Sequence, residues 1–585
     1  MGNGGKGPRP LLVLACLLAA VLAACTNTPP PPVVSSPVAK TSAPPVDTPS
    51  QVVIGLDDID GGYNPHNIAD LSTVTSALSQ MLLPSVFRPD EDGVLRLDEN
   101  LMTSAEVISR EPFTVAYEIR HDASWSDGAP IAVEDFAYLA DAMKTQPGVV
   151  EPAGYRLISG IQPGEGGKRV EVTFDKPYPG WKSLFDNLLP AHLLKDAPGG
   201  WQGALGESFP AYGGPFAIKT LDEVRGEIVL ERNERYWEKP AAVDRIVLHS
   251  SDQAAMAGAL RSGNDQLALA NTDATGLDLL SGLGKNVRLH TVARPYLAEV
   301  LLRPVGTALA DAQVRAGVAA LVDRERLIAE GTGGGASAEL RAGAHTLPPS
   351  AKGYEPTIPR SGPPLNPAPR RAERLLRAAG YTKQAGTWTR DGEPLSLVVA
   401  SPGQREPYAA IARELTRQLT AAGVEVTTIN PPARELFSSL LAAPVDPDAG
   451  DGQSTAQDGP VAVDIVVGPQ PVSNDPASTL VSAYGCPEGW DDPGDGESSP
   501  QVPANTAAFC DEVLQPTLEA ALAGAEPLAE TMSTAEPALW QSNVAIPLFQ
   551  LADTLAIGSS VAGVSPGPPM AGPFSSAVNW TRAPR

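Results

Sequence analysis

The chain reads as an α/β protein with at least one partly parallel sheet, and three local patterns carry that reading. Phe113-Thr114-Val115-Ala116-Tyr117-Glu118-Ile119 and Val170-Glu171-Val172-Thr173-Phe174 alternate with period two, as half-buried strands do. Residues 395–400 form a third strand, Ile411, Leu415 and Leu419 then share one helical face, and Val424-Glu425-Val426 begins another strand. Strand, helix and strand in this order make a βαβ unit with parallel strands and a right-handed crossover. Gly423 stands where the intervening helix needs a C-cap. A further helix over 371–379 places Ala372, Leu375, Leu376 and Ala379 on one face and stops at Gly380.

Before this body lies a secretory leader, residues 1–24. Lys6 and Arg9 form a basic start, and residues 11–24 are an apolar run of fourteen. A membrane-spanning helix needs roughly 20 such residues, so the run suits a signal peptide rather than an anchor helix. Leu22-Ala23-Ala24-Cys25 resembles the lipobox of bacterial lipoproteins, which implies cleavage before Cys25 and acylation of its sulfur; an ordinary leader followed by a chance cysteine is the alternative. Residues 25–50 are rich in proline, with Pro29 to Pro32 in a row. Such a segment buries too little apolar surface to fold and extends as polyproline II, reaching up to roughly 75 Å. The expected location is the extracytoplasmic face of the cell membrane, held by lipid.

The formal charge of -25 becomes -27 once Lys6 and Arg9 leave with the leader. That surface argues against nucleic acid and against generic binding to anionic lipid headgroups. Cys486 and Cys510 remain beside Cys25 after processing. Outside the cytoplasm they suggest one disulfide, contributing about 3 kcal/mol in the chain-entropy model, with two free thiols as the alternative. Acidic insertions over 444–460 and 488–504, rich in Gly, Pro and Ser, read as loops. With 585 residues the body is expected to hold two or three subdomains and to be a monomer.

Signatures of catalysis are missing: there is no G-x-S-x-G, no H-E-x-x-H and no Walker loop, and the six histidines are scattered. Gly331-Thr332-Gly333-Gly334-Gly335-Ala336 follows a helical stretch, whereas a dinucleotide loop follows a strand. Asp491, Asp492, Asp495 and Glu497 lack EF-hand spacing. No enzyme activity, metal or cofactor is expected.

Dispersed markers do occur in order. Trp125-Ser126-Asp127-Gly128-Ala129-Pro130-Ile131 with Glu134-Asp135-Phe136 is followed by Gly213-Gly214-Pro215-Phe216, by Arg232-Asn233-Glu234-Arg235-Tyr236-Trp237 and by Ser262-Gly263. Val314-Arg315 with Asp323-Arg324, Ala378-Ala379-Gly380-Tyr381 and Ile546-Pro547-Leu548 complete the series. Together they resemble family 5 extracytoplasmic solute-binding proteins, the oligopeptide-binding type of ABC transporters. Within that family the resemblance is closer to actinobacterial envelope lipoproteins associated with phosphatidylinositol mannoside and lipoarabinomannan synthesis. It rests on Glu151-Pro152-Ala153-Gly154-Tyr155, Pro177-Tyr178-Pro179-Gly180-Trp181, Leu189-Pro190-Ala191-His192, Tyr484-Gly485-Cys486-Pro487 and Cys510-Asp511.

The resemblance implies a two-lobed, periplasmic-binding-protein-like clamp with an additional domain. Lobe I would be residues 51–90, 210–298 and 545–585, the extra domain 91–209, and lobe II 299–544. A ligand would be held between the lobes without catalysis. Asn64, Pro84, Ser85 and Phe216 fall where the family's first lobe meets its ligand, and Ser473, Asn474 and Asp475 replace its ammonium-binding segment. The aspartate that pairs with a peptide's α-ammonium in that family falls near Val472. Losing it disfavours peptides, because a buried ammonium without its partner is costly. A small molecule or a glycolipid is the implied ligand, and an ABC permease or an envelope biosynthetic enzyme the implied partner.

Overall fold

Two long strands, Val287–Leu302 and Ala545–Gly558, run antiparallel side by side and organise the largest sheet of this computed structural model. Residues 1–2, 50–59, 61–445, 462–487 and 502–582 are described; Cys25, the leader, nearly all of the tether, most of both acidic insertions and Asp491, Asp492, Asp495 and Glu497 lie outside them. Residues 1–48 form one unit, of which Met1 and Gly2 are described, and residues 49–585 form the other, which holds every element below.

On one side of the long pair the sheet continues through Leu267–Ala270, Gln51–Leu56, Arg245–Ser250, Glu227–Arg232 and Phe216–Asp222. On the other it continues through Ile465–Pro471, Ser396–Ala400 and Glu425–Ile429. The expected lobe boundary at residue 298 therefore falls inside Val287–Leu302, a strand both halves share. Ladder pairing between the long strands breaks after Ala293 and resumes at Leu297. Arg294 in this bulge donates twice to Asp553, through Nε at 2.7 Å and through Nη2, and once to the Tyr296 hydroxyl at 2.8 Å.

The βαβ unit forms as its periodicity predicts. Ser396–Ala400 and Glu425–Ile429 pair in parallel, joined by the helix Tyr408–Ala422, whose Ile411, Leu415 and Leu419 are fully buried. Gly423 ends that helix at φ 93°, and a Cβ there would meet the Gly386 carbonyl oxygen at 2.2 Å, so only glycine closes this turn. The helix predicted over 371–379 spans Pro369–Ala378, because Pro369 is preset for the first helical turn. Gly333 caps the helix Arg324–Thr332, which places the glycine run at a helix end.

A separate antiparallel sheet, in the order Met102–Arg110, Phe113–Ile119, Arg169–Phe174, Ile158–Pro163, carries the two strands read from alternation. Asp135 starts the adjacent helix Val133–Thr145 by accepting from the Ala132 amide, and it also accepts from Trp125 Nε1 and from the Ala191 amide. One buried carboxylate thus joins three segments. The marker arginines act likewise on carbonyl groups: Arg315 donates to Ser542 and Leu309, and Arg324 to Pro547 and Leu548. Cys486 and Cys510 are joined in a disulfide with Cα atoms 4.6 Å apart.

Glu299 is the exception to this pairing of buried charge. It is 1 % exposed, and neither carboxylate oxygen has a hydrogen-bond partner among the described residues. Burial pushes its carboxyl up from 4.5 to about 8. The folded state therefore holds this proton where the unfolded chain has lost it, and stability falls as pH rises from about 4.5 to 8. Glu299→Gln is expected to stabilise the protein by about 3 kcal/mol at pH 7 and by much less at pH 5. Urea denaturation at the two pH values checks this; an equal gain at both would contradict it.

Candidate functional site

A cavity of about 290 Å³ opens where four stretches converge: residues 65–95, 143–187, 472–478 and 569–575, with Pro295 of the bulge beside them. Nine serine and threonine side chains line it, together with His66, Gln80, Asn187 and Asn474. Its charged lining is balanced: Arg88 and Lys182 against Glu151 and Asp186.

Asp186 reaches this cavity from an unusual turn. Phe185 and Asn187 on either side have φ of 60° and 47°, in the left-handed region that β-carbon-bearing residues rarely adopt. Their neighbours hold the turn from every side. The Phe185 amide donates to the Tyr155 hydroxyl at 2.9 Å, the Phe185 carbonyl accepts from the Val86 amide, the Asn187 amide donates to Ser85 Oγ at 2.9 Å, and the Asn187 carbonyl contacts His66 Nε2 at 3.0 Å. Strained residues persist only where surroundings over-determine them, as these do. Asp186 is an exposed residue that lines the cavity; desolvation raises its pKa, opposed by His66 and Arg88. Burial lowers the His66 pKa in turn.

Glu151, also at positive φ (49°), accepts from Thr479 Oγ1 at 2.5 Å. Burial pushes its carboxyl up to about 7; Asp475 and Asp186 add to the rise while Thr479 and Ser473 oppose it. Asp475 accepts from the Tyr178 hydroxyl at 2.6 Å and from the Ser478 amide at 3.2 Å, so it caps the helix Pro476–Tyr484 and ties it to the small-sheet side. A Cβ at Gly180 would meet Asp475 Oδ2 at 1.9 Å; this glycine admits the contact.

Of the residues expected from sequence, Ser85, Ser473 and Asn474 line the cavity. Ser85 holds the Asp186 turn. Asn64 is buried behind the wall, where its Oδ1 accepts from the His66 amide at 3.1 Å. Pro84 packs over Gly213, where a Cβ would approach its ring at 2.9 Å. Phe216 is 0 % exposed in the main core and does not line the cavity, since its strand turns it inward between the sheet and the helix Thr73–Leu82. Asp475 is spent on Tyr178 and the helix cap. Val472 packs on Leu297 and Ala342, and its amide donates to the Pro295 carbonyl. Asp186, His66 and Lys182 escaped the sequence reading. The segments around Glu151, Tyr155 and Tyr178, which carried the closer resemblance, surround this cavity.

Two further cavities, of 840 and 790 Å³, lie elsewhere in the molecule. The first borders the ends of segments outside the described residues, and the second surrounds the Asp70–Arg434 ion pair.

The sequence profile of the bacterial extracellular solute-binding proteins, family 5 (middle), matches residues 96–489. LpqW of Mycobacterium tuberculosis H37Rv, by name a probable monoacyl phosphatidylinositol tetramannoside-binding protein, is 32 % identical over 601 residues, covering 91 % of both chains. The oligopeptide-binding protein OppA of Mycobacterium bovis is 28 % identical and covers 59 % of this chain and 58 % of its own. Among solved structures, the periplasmic EDTA-binding protein EppA superposes with a TM-score of 0.68 at 20 % identity, covering 92 % of this chain and 97 % of its own. AppA of Bacillus subtilis bound to a nonapeptide gives 0.68 at 16 % identity, covering 92 % and 100 %. These last two carry the fold, a two-lobed binding-protein clamp.

Because Asp475 caps a helix and accepts from a buried tyrosine, Asp475→Ala is expected to destabilise the fold by about 1–3 kcal/mol. Tyr178→Phe is expected to lose part of the same energy, and a double-mutant cycle on the two in chemical denaturation checks the coupling. Strict additivity would contradict it.

Proposed function

We propose, for a chain that belongs to the family 5 bacterial extracellular solute-binding proteins, that it captures the sugar-bearing headgroup of a mannosylated phosphatidylinositol between its lobes without chemical conversion. The observation that carries this reading is the cavity lined by nine serine and threonine side chains and by charges of both signs, whose walls come from both sides of the bulge. It suits a ligand rich in neutral hydroxyls better than a peptide terminus, because Val472 supplies no carboxylate. The kinship with LpqW over 91 % of both chains supports the same ligand class.

In this reading residues 51–90, 210–298 and 545–585 form one lobe, residues 91–209 the additional domain and residues 299–544 the other lobe. Hinge closure brings Ser85, Asp186, Glu151, Ser473 and Asn474 around the ligand. The protein acts as a monomer, anchored through Cys25 on the extracytoplasmic face of the membrane, and passes its ligand to an envelope biosynthetic enzyme. Delivery to an ABC permease is the second reading, favoured by the kinship with OppA.

Isothermal titration with phosphatidylinositol tetramannoside in detergent, against a mixed tri- to pentapeptide library, tests the ligand. Saturable glycolipid binding without measurable peptide binding is expected; micromolar peptide binding that requires a free amino terminus would overturn the reading. Anchoring is tested separately. Cys25→Ala is expected to accumulate as unprocessed precursor or to leave the membrane fraction, and normal processing and retention of that variant would refute acylation.

A further inference from the structure

We propose that Asp186, together with Glu151, anchors the ligand by accepting hydrogen bonds from neighbouring hydroxyls of an uncharged sugar ring. This inference rests on the capture of a glycolipid headgroup argued above and names the groups that recognise it.

Three observations carry it. The first is placement: four hydrogen bonds, from Tyr155, Val86, Ser85 and His66, hold the backbone on both sides of Asp186, so its carboxylate enters the cavity with its direction set. An intramolecular hydrogen bond to the carboxylate comes from its neighbour, Asn187 Nδ2, at 3.0 Å. A carboxylate has about four acceptor positions, and those facing the cavity are free to receive a ligand. Two adjacent ligand hydroxyls can donate to its two oxygens together, the bidentate arrangement that also makes carboxylates good partners for guanidinium groups.

The second observation is a buried acceptor in the same wall without a partner among the described residues. His66 is 4 % exposed and lines the cavity, its ring held through Nε2 by the Asn187 carbonyl. Gln80 lines it too, and its Oε1 is buried without a partner. Buried polar groups are nearly always satisfied, so the free Gln80 Oε1 leaves one acceptor in this wall for a polar ligand.

The third observation decides between a hydroxyl and a cation. Arg88 and Lys182 line the cavity with Asp186, and Arg88 already offsets its charge. A ligand ammonium beside Asp186 would meet a carboxylate whose charge Arg88, itself paired with Asp98 at 2.6 Å, already offsets. A ligand hydroxyl donates to the carboxylate without needing that charge, and its oxygen can accept from Lys182, whose ammonium lies 5.9 Å from the Phe87 ring centroid and 5.6 Å from that of Trp181. Phe87, Asp186 and Lys182 line one cavity, a combination that matches a sugar with its C–H and hydroxyl surfaces.

The shared chemistry could come from a lipid headgroup or from a free oligosaccharide, and titration calorimetry with both separates them. Full-length wild-type protein, Asp186→Asn and Glu151→Gln are each titrated with phosphatidylinositol tetramannoside in detergent, with a free α-mannotetraose and with tri-lysine. Losing a hydrogen bond to a charged acceptor is expected to weaken mannoside binding about ten- to hundredfold in Asp186→Asn, and less in Glu151→Gln, with thermal unfolding unchanged. Binding of the free sugar to the same extent assigns the whole contact to the sugar; binding of the lipid alone places further contacts on its lipid part, and either supports the proposal if Asp186→Asn weakens it. Wild-type affinity retained by a folded Asp186→Asn would overturn the anchoring role and leave glycolipid capture standing. If Asp186→Asn does not fold, Glu151→Gln with undiminished binding overturns it instead. Tri-lysine binding that is tighter than mannoside binding and lost in Asp186→Asn would overturn the hydroxyl assignment, and wild-type protein that binds neither mannoside would overturn both readings.

Discussion

The ladder between Val287–Leu302 and Ala545–Gly558 is the constraint on which the rest of the molecule depends. Each strand links the pair to one half of the sheet: Leu267–Ala270 pairs with Ala545–Gly558, and Ile465–Pro471 with Val287–Leu302. The break at residues 294–296 interrupts the ladder between those two regions. A bulge increases local twist and bends a strand, so the two halves of the sheet are set at an angle about this point. Arg294 fills the bulge and binds Asp553 on the facing strand, with Thr73 donating to the same carboxylate at 3.0 Å. Asp57 lies close by, pushed up to about 7 by burial and by Asp553. A buried pair of this kind is costly to break by losing one partner, about 3–5 kcal/mol, which ties the hinge position to the integrity of the fold.

The cavity follows from that arrangement. Pro295, in the bulge, lines it, and the Pro295 carbonyl accepts from Val472 on the opposite wall. Across the same cleft Tyr178 meets Asp475, and Glu151 meets Thr479. These contacts join residues 297 and 328 positions apart, so the walls are assembled by tertiary structure alone. The polar groups that hold the walls together, Asp475 and Tyr178, differ from those left facing the cavity, Asp186 and His66. That separation gives the site rigid walls and an open set of acceptors, the preorganisation that lowers the cost of ordering a ligand site.

Much of the scaffold was legible in the sequence because periodicity and capping are local. The alternation in Phe113–Ile119 gave a strand with those bounds, and Gly423 gave the end of a helix. The marker arginines could be recognised but not explained, since their targets, Ser542 and Pro547, lie more than two hundred residues away. The site was less legible. Phe216, beside a glycine pair, reads equally as pocket or core, and the sheet turns it into the core. Asp475 was the nearest acid to the family's ammonium-binding position, but Tyr178 and Ser478 use it. Asp186 carries no motif, and what makes it a site residue is a turn with two left-handed residues that have β-carbons. Ser85, Ser473 and Asn474 line the cavity, and the Glu151 to Tyr155 segment, quoted for its resemblance, borders it as well.

The central claim is that the ligand sits in the small hydroxyl-lined cavity beside the hinge bulge rather than in either larger one. Hydrogen–deuterium exchange of the full chain, with and without phosphatidylinositol tetramannoside, tests it most directly. The account predicts slowed exchange at the amides of residues 183–187 and 472–475 together, from opposite walls of one cavity. Protection confined to residues 144–149 and 437–442, around the 840 Å³ cavity, would contradict it.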